Sequence, residues 1–231
     1  MLAELAAALR MDYRFSPCEP GSNVGHAVLV TVEWEITHHE TIHLDAWRQR
    51  SSTRWGRQER TAALAVNLRP AGTSPARATP ITVVSTLFGS DFSGVEQVQS
   101  MSELCRTLRL RCLSQSGRRR ASPGASLVDR LVLPTKLIVC GDFAASASGL
   151  PLLLADELGL TDTASAGWSG RLAWGCGGSS SHSLLVPRPD RILVAASGPL
   201  RVRKTYVVKK PSPALHSPVV AELNLVTRTP V

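Results

Sequence analysis

The sequence predicts an α+β fold: two packed, mostly antiparallel β-sheets flanked by helices. Three observations carry that expectation. Short strand-like runs come in pairs between Ala27 and Phe88, the apolar period changes to that of a helix from Val95 to Leu113, and strand-like runs return from Arg191 to Val226. Strand pairs, helix, strand, helix and strands again suit two sheets with helices outside. A chain of 231 residues, 43% of them hydrophobic, buries a core large enough for one domain over residues 1–231.

Taken in order, Met1 to Arg10 has Leu2, Leu5, Ala6 and Leu9 at helical spacing and predicts a short amphipathic helix ending before Ser16 and Pro17. Ala27 to Glu35 and Glu40 to Asp45 then predict consecutive strands, and Thr61 to Leu68 with Pro80 to Phe88 a second pair. Pro70 to Pro80 is a loop by composition. Apolar residues at 95, 98, 101, 104, 105, 108 and 112 form the stripe of a helix packed on one face. A basic loop insertion follows over residues 114–130, then a short buried strand from Lys136 to Cys140 and a helix from Leu150 to Leu158. Ser165 to His182 is rich in Gly and Ser, and Arg191 to Ala195, Arg201 to Lys209 and Val219 to Val226 finish as strands.

Net charge is +8, from 26 Lys and Arg against 18 Asp and Glu. The excess lies in residues 101–231, with 17 basic and 8 acidic side chains, and 22 of the 26 basic residues are Arg, whose planar fork suits phosphate. A polyanionic partner fits that balance. Candidate RNA contacts are Arg118, Arg119 and Arg120 in the basic loop, and Arg201, Arg203, Lys204, Lys209 and Lys210 near the C-terminus. Strand alternation puts Arg201 and Arg203 on one face, although a solvated polar face explains each patch equally well. Arg48, Arg50, Arg54, Arg57 and Arg60, interleaved with Trp47 and Trp55, form a third candidate, with a polar loop as the alternative.

Five cysteines without a C-x-x-C pair point to a reducing intracellular compartment. No apolar run is long enough to span a bilayer, so no membrane partner is expected, and Glu4 and Asp12 spoil an organelle presequence in Met1 to Arg14. His38, His39 and His43 lack the Cys or carboxylate spacing of a metal site and read as a solvated strand edge; no metal site is expected.

Four stretches, in order along the chain, resemble the endonuclease/exonuclease/phosphatase superfamily in its deadenylase and nocturnin-like branch. Gly25 to Leu29 and Thr61 to Leu68 are similar to the family's "G-x-A-hydrophobic" and "N-V-A-L-V-V-x-L" strands. Val83 to Phe88, followed by Gly94 to Gln99, is similar to "V-x-x-T-H-L" and "D-V-K-x-x-Q", with the family's His replaced by Thr86. Leu137 to Ser148 is similar to "C-G-D-F-N-S-x-P-x-S", with the Asn replaced by Ala144. Pro189 to Leu193 is similar to "I-D-Y-I", and Pro211 to Leu223 to "P-S-D-H-x-P-L-x-A-E-F", keeping His216 while Leu215 replaces its Asp. The family's first strands, bearing a catalytic Asn and a metal-binding Glu, have no counterpart in the sequence.

The resemblance implies Mg²⁺-dependent phosphodiester hydrolysis, which needs hard oxygen ligands, an oriented water and donors for the charged transition state. Asp142, Asp190 and His216 are the residual family positions; Thr86, Ala144 and Leu215 mark losses. The expectation is therefore a catalytically inactive domain without a cofactor, a structural, RNA-contacting subunit among neighbouring proteins of a ribonucleoprotein. Ribosomal or other structured RNA is the expected partner, with a mitochondrial ribosome or RNA-processing complex as the setting. The alternative is a Mg²⁺-dependent 3′-exoribonuclease or phosphodiesterase completed by a further N-terminal segment or a partner chain.

Overall fold

A computed structural model describes residues 1–18, 21–44, 62–74, 80–88, 94–116, 135–143, 159–166, 190–208 and 218–226. Helix α1 (Leu2–Leu9) stops at Arg10, which turns left-handed at φ 54° and ψ 45° and returns its N–H to the last carbonyls of the helix. The chain leaves directly into β1 (Met11–Pro17), a strand the sequence did not announce, because Ser16 is its one buried residue and no apolar alternation marks it. β1 pairs antiparallel with β2 (Gly25–Thr31), Met11 opposite Thr31 and Pro17 opposite Gly25.

Strand β3 runs unbroken over Trp34–His43. The sequence expected a break between Glu35 and Glu40; instead the turn falls at Val32 and Glu33, and a register shift between Ile36 and His38 absorbs one residue as a bulge. β4 (Ala62–Pro70) and β5 (Ile81–Leu87) follow as the second expected pair. Helix α2 (Gly94–Ser116) carries the chain to β6 (Leu137–Asp142), parallel to β5. The helix runs through residues 114–116, which the sequence assigned to the basic loop; the rest of that loop and the helix expected over 150–158 lie outside the described residues.

β7 (Leu160–Asp162), a short helix α3 (Thr163–Ala166) and β8 (Asp190–Ala195) complete a six-stranded sheet in the order β3-β4-β5-β6-β8-β7. β9 (Leu200–Val207) and β10 (Val219–Leu225) form a closing hairpin. It packs against β8 and α3, and Thr205 donates its hydroxyl to the Thr163 carbonyl at 3.1 Å.

Two cores cover the two faces of the large sheet. On one, Ile42, Ala63, Ala65, Val84, Val139 and Leu193 meet Met101, Leu104, Cys105 and Leu108 of α2, all at most 5% exposed. Phe88 and Phe143 close that core with ring centroids 5.2 Å apart and planes tilted by 58°. On the other, Val28 and Val30 of β2 pack on Leu64, Val66, Leu68 and Ile81. At about 1.5–3 kcal/mol for each fully buried large apolar side chain, these layers drive the fold. The two hairpins thus stand as the second layer of a sandwich, as the alternating runs predicted.

Candidate functional site

The site candidates Asp142 and Asp190 meet at the end of the sheet where β5 and β6 finish and β8 begins. β6 ends in Gly141 and Asp142, and Gly141 takes φ +149°, a conformation side chains rarely adopt. The Phe88 amide donates to the Asp142 carbonyl at 2.8 Å, which ties the end of β5 to the end of β6. Across the other edge of β6, Asp142 is the register partner of Asp190, the first residue of β8. Opposed residues project to the same side of a sheet, so two carboxylates that are 48 positions apart in sequence share one face.

Which β5 residue joins them follows from alternation. Leu87 is opposite Asp142, and Thr86 opposite Gly141. Thr86 therefore points with Val84 into the α2 core, where it is 2% exposed and its Oγ1 has no hydrogen-bond partner among the described residues. Leu87, 42% exposed, stands on the face of Asp142 and Asp190. The family resemblance places the replaced His at Thr86, which β5 turns to the helix face, and the side chain beside the carboxylates is Leu87. Counting by two from Val84, the apolar centre of the strand, is the sequence signal that finds this.

Arg191, next to Asp190, faces the other way. It donates from Nη1 to Asp162 Oδ2 at 2.8 Å, and Asp162 Oδ1 also accepts the Ala164 amide at the start of α3. The side chains of this pair are 15% and 7% exposed. The pair anchors β7, β8 and α3 on the helix side of the sheet, away from the two carboxylates. Ala144, Leu215 and His216 lie outside the described residues.

Among the basic candidates, Arg201, Arg203 and Lys204 are exposed on β9. Arg201 donates from Nη1 to the Gly198 and Leu200 carbonyls at 2.5 and 3.2 Å, and Arg203 pairs with Glu222 across the hairpin at 3.2 Å. Lys204 Nζ stands 4.8 Å from the Tyr206 ring centroid. The strand offers a basic, partly self-satisfied surface. Arg118, Arg119, Arg120, Lys209, Lys210 and the Trp47 to Arg60 stretch lie outside the described residues.

His38, His39 and His43 are exposed on β3, the edge strand of the sheet, and among the described residues no three His, Cys, Asp or Glu side chains group closely enough to hold a metal ion. Burial lifts the Cys140 thiol to about 11 and the Cys105 thiol to about 12, so both stay protonated at neutral pH. Among the described residues no helix is long and apolar enough to cross a membrane.

No protein-family model matches this chain, and no curated protein matches it by sequence. Solved structures do. An endonuclease/exonuclease/phosphatase family protein from Bacteroides thetaiotaomicron matches with a TM-score of 0.65 at 16% identity, over 96% of this chain and 78% of that one. A mannosyl-6-phosphatase from the same organism matches with a TM-score of 0.64 at 16% identity, over 96% and 80%. The human Nocturnin catalytic domain, solved with a bound sulfate anion, matches with a TM-score of 0.62 at 16% identity, over 98% and 76%. The chain has the fold of these proteins, as its motifs predicted.

Proposed function

We propose that this chain, which has the endonuclease/exonuclease/phosphatase fold, is a catalytically inactive domain that serves as a structural, RNA-contacting subunit of a ribonucleoprotein assembly, with a mitochondrial ribosome or RNA-processing complex as the setting. The observation that carries this reading is Leu87. It sits beside Asp142 on the face where the fold's chemistry is expected, and it offers neither a donor nor an acceptor. Loss of one electrostatic contributor commonly costs on the order of 10²- to 10³-fold in rate. Ala144 and Leu215, which stand for an Asn and an Asp in the family motifs, add two further losses. The net charge of +8 supports contact with a phosphate backbone.

The opposed pair Asp142 and Asp190 supports a second reading, a Mg²⁺-dependent phosphodiesterase. Mg²⁺ is commonly held by one or two carboxylates together with substrate phosphates, and Asp142 and Asp190 would hold it together with a Glu supplied by a further N-terminal segment or a partner chain. The ion would polarise a phosphoryl oxygen. This chain's own part would be to fix the two carboxylates through the β6–β8 register.

The test is incubation of the purified chain with a 3′-tailed RNA and Mg²⁺, beside Asp142→Asn. The proposal expects salt-sensitive RNA binding, co-sedimentation with a ribonucleoprotein particle, and no cleavage. Mg²⁺-dependent shortening that disappears in Asp142→Asn would replace it with the second reading.

A further inference from the structure

We propose that the outward face of the β9–β10 hairpin is a binding strip for single-stranded RNA, with phosphates on Arg201, Arg203 and Lys204 and a base stacked on Tyr206. The inference rests on the RNA-contacting reading above and adds to it the surface that is used and the form of RNA that it takes.

A one-residue bulge builds the strip. In the hairpin Leu223 opposes Val202 and Glu222 opposes Lys204, so Arg203 is an extra residue on β9. Unbroken alternation would put Lys204 and Tyr206 on the face of Leu200 and Val202, opposite to Arg201. With the extra residue, Arg201, Lys204 and Tyr206 share the face of their β10 partners Asn224, Glu222 and Val220. Arg203 joins them, because its Nη1 reaches Glu222 at 3.2 Å and its side chain is 70% exposed. The opposite face packs inward: Leu200 is 4% exposed, and the Thr205 hydroxyl donates to the Thr163 carbonyl of α3. Arg201, Arg203 and Lys204 are all exposed, and Tyr206 is half-buried.

The contacts among these side chains orient them without using them up. Arg201 bonds to the Gly198 and Leu200 carbonyls through Nη1, one nitrogen of a guanidinium that carries five N–H donors. The exposed Arg203–Glu222 pair contributes little to stability, so a phosphate can take the place of the carboxylate. Lys204 Nζ covers the Tyr206 ring at 4.8 Å from its centroid; a base that stacks on the ring displaces it, and the ammonium moves to the adjoining phosphate. Three cations against the one carboxylate of Glu222 favour a polyanion. Size and the aromatic ring choose the single strand. From Arg201 to Tyr206 the strip is about 16 Å long at about 3.3 Å per residue, the scale of a few nucleotides. Duplex RNA is read by shape over about 16 base pairs with its bases stacked away, whereas an unpaired base offers its face to an aromatic side chain.

Fluorescence anisotropy over a salt series compares binding of the 231-residue chain to a labelled oligouridine and to a fully paired RNA hairpin of equal charge. The oligouridine is expected to bind more tightly. Tyr206→Leu, which keeps the apolar bulk, is expected to weaken oligouridine binding about 5- to 100-fold, as for one lost base stack, and to leave hairpin binding unchanged. Arg201→Gln combined with Arg203→Gln is expected to reduce the slope of log affinity against log salt by about 1.4, as for two single-strand phosphate contacts. Photolysis of the unsubstituted chain with a thiouridine-containing oligomer, followed by mass spectrometry, is expected to place the cross-link within Leu200–Val207, and it decides the matter if the variants fail to fold. The strip is overturned by equal or tighter binding of the paired hairpin, by variants that bind as the unsubstituted chain does, or by a cross-link confined to other residues; in each of these cases RNA contact itself stands. Binding of neither RNA overturns the strip and the RNA-contacting reading together.

Discussion

A Cβ on Gly141 would stand 1.8 Å from the carbonyl oxygen of Thr86, so β5 and β6 meet there through bare backbone. Gly141 also has φ +149°, where an L side chain is strained. Gly141→Ala is expected to lower stability by at least about 1–3 kcal/mol from backbone strain alone, read as a shifted urea midpoint. An unchanged midpoint would mean that the two strand ends are not held in this register.

Thr86 itself gives the opposite sign. Its buried hydroxyl has no partner among the described residues, and valine has nearly the same shape. Thr86→Val is expected to stabilise the fold by about 1 kcal/mol, because an unsatisfied buried hydroxyl is removed without opening a cavity. A loss of stability would show that the hydroxyl is hydrogen-bonded in solution.

The Arg191–Asp162 pair, buried at Asp162 and mostly covered at Arg191, joins β8 to the end of β7. Asp162→Ala leaves a mostly covered guanidinium without its counter-charge and frees the Ala164 amide. A loss of about 3–5 kcal/mol is expected in thermal or chemical unfolding. The double variant Asp162→Ala with Arg191→Met should recover part of that loss.

His26 is 6% exposed, and burial depresses its pKa below the ordinary 6.5. The unfolded chain therefore binds this proton more tightly than the folded one, and stability rises with pH between the folded value and 6.5. Acidification from pH 7 through that window should destabilise the protein, and His26→Gln should remove the slope. A pH-independent unfolding midpoint across the window in the unsubstituted chain would contradict the burial of this ring.

For RNA, Arg203 is already paired with Glu222, while Lys204 is exposed over Tyr206. Lys204→Ala is expected to reduce the slope of log affinity against log salt by about 1, as for one phosphate contact. Glu222→Gln should raise affinity by releasing Arg203. If neither substitution moves the binding curve, β9 is not the RNA-contacting surface.

Strand and helix periods placed β4, β5, α2, β6 and β8 with small boundary shifts, because each has an apolar face whose spacing alone specifies its type. β1 and β7 escaped that reading: Ser16 is the one buried residue of β1, and β7 has three residues. Their strand character comes from pairing with β2 and β8, which no local pattern encodes.

By itself, the sequence determined the sandwich class, the G-D turn at Gly141 and Asp142, and the basic balance of the second half. These depend on residue type and spacing along the chain. The tertiary structure alone decided that Asp142 opposes Asp190 and that Leu87 stands across the β5–β6 pairing from Asp142. Register is the physical reason. A one-residue slip moves every side chain of a strand to the other face, and only long-range backbone pairing sets it.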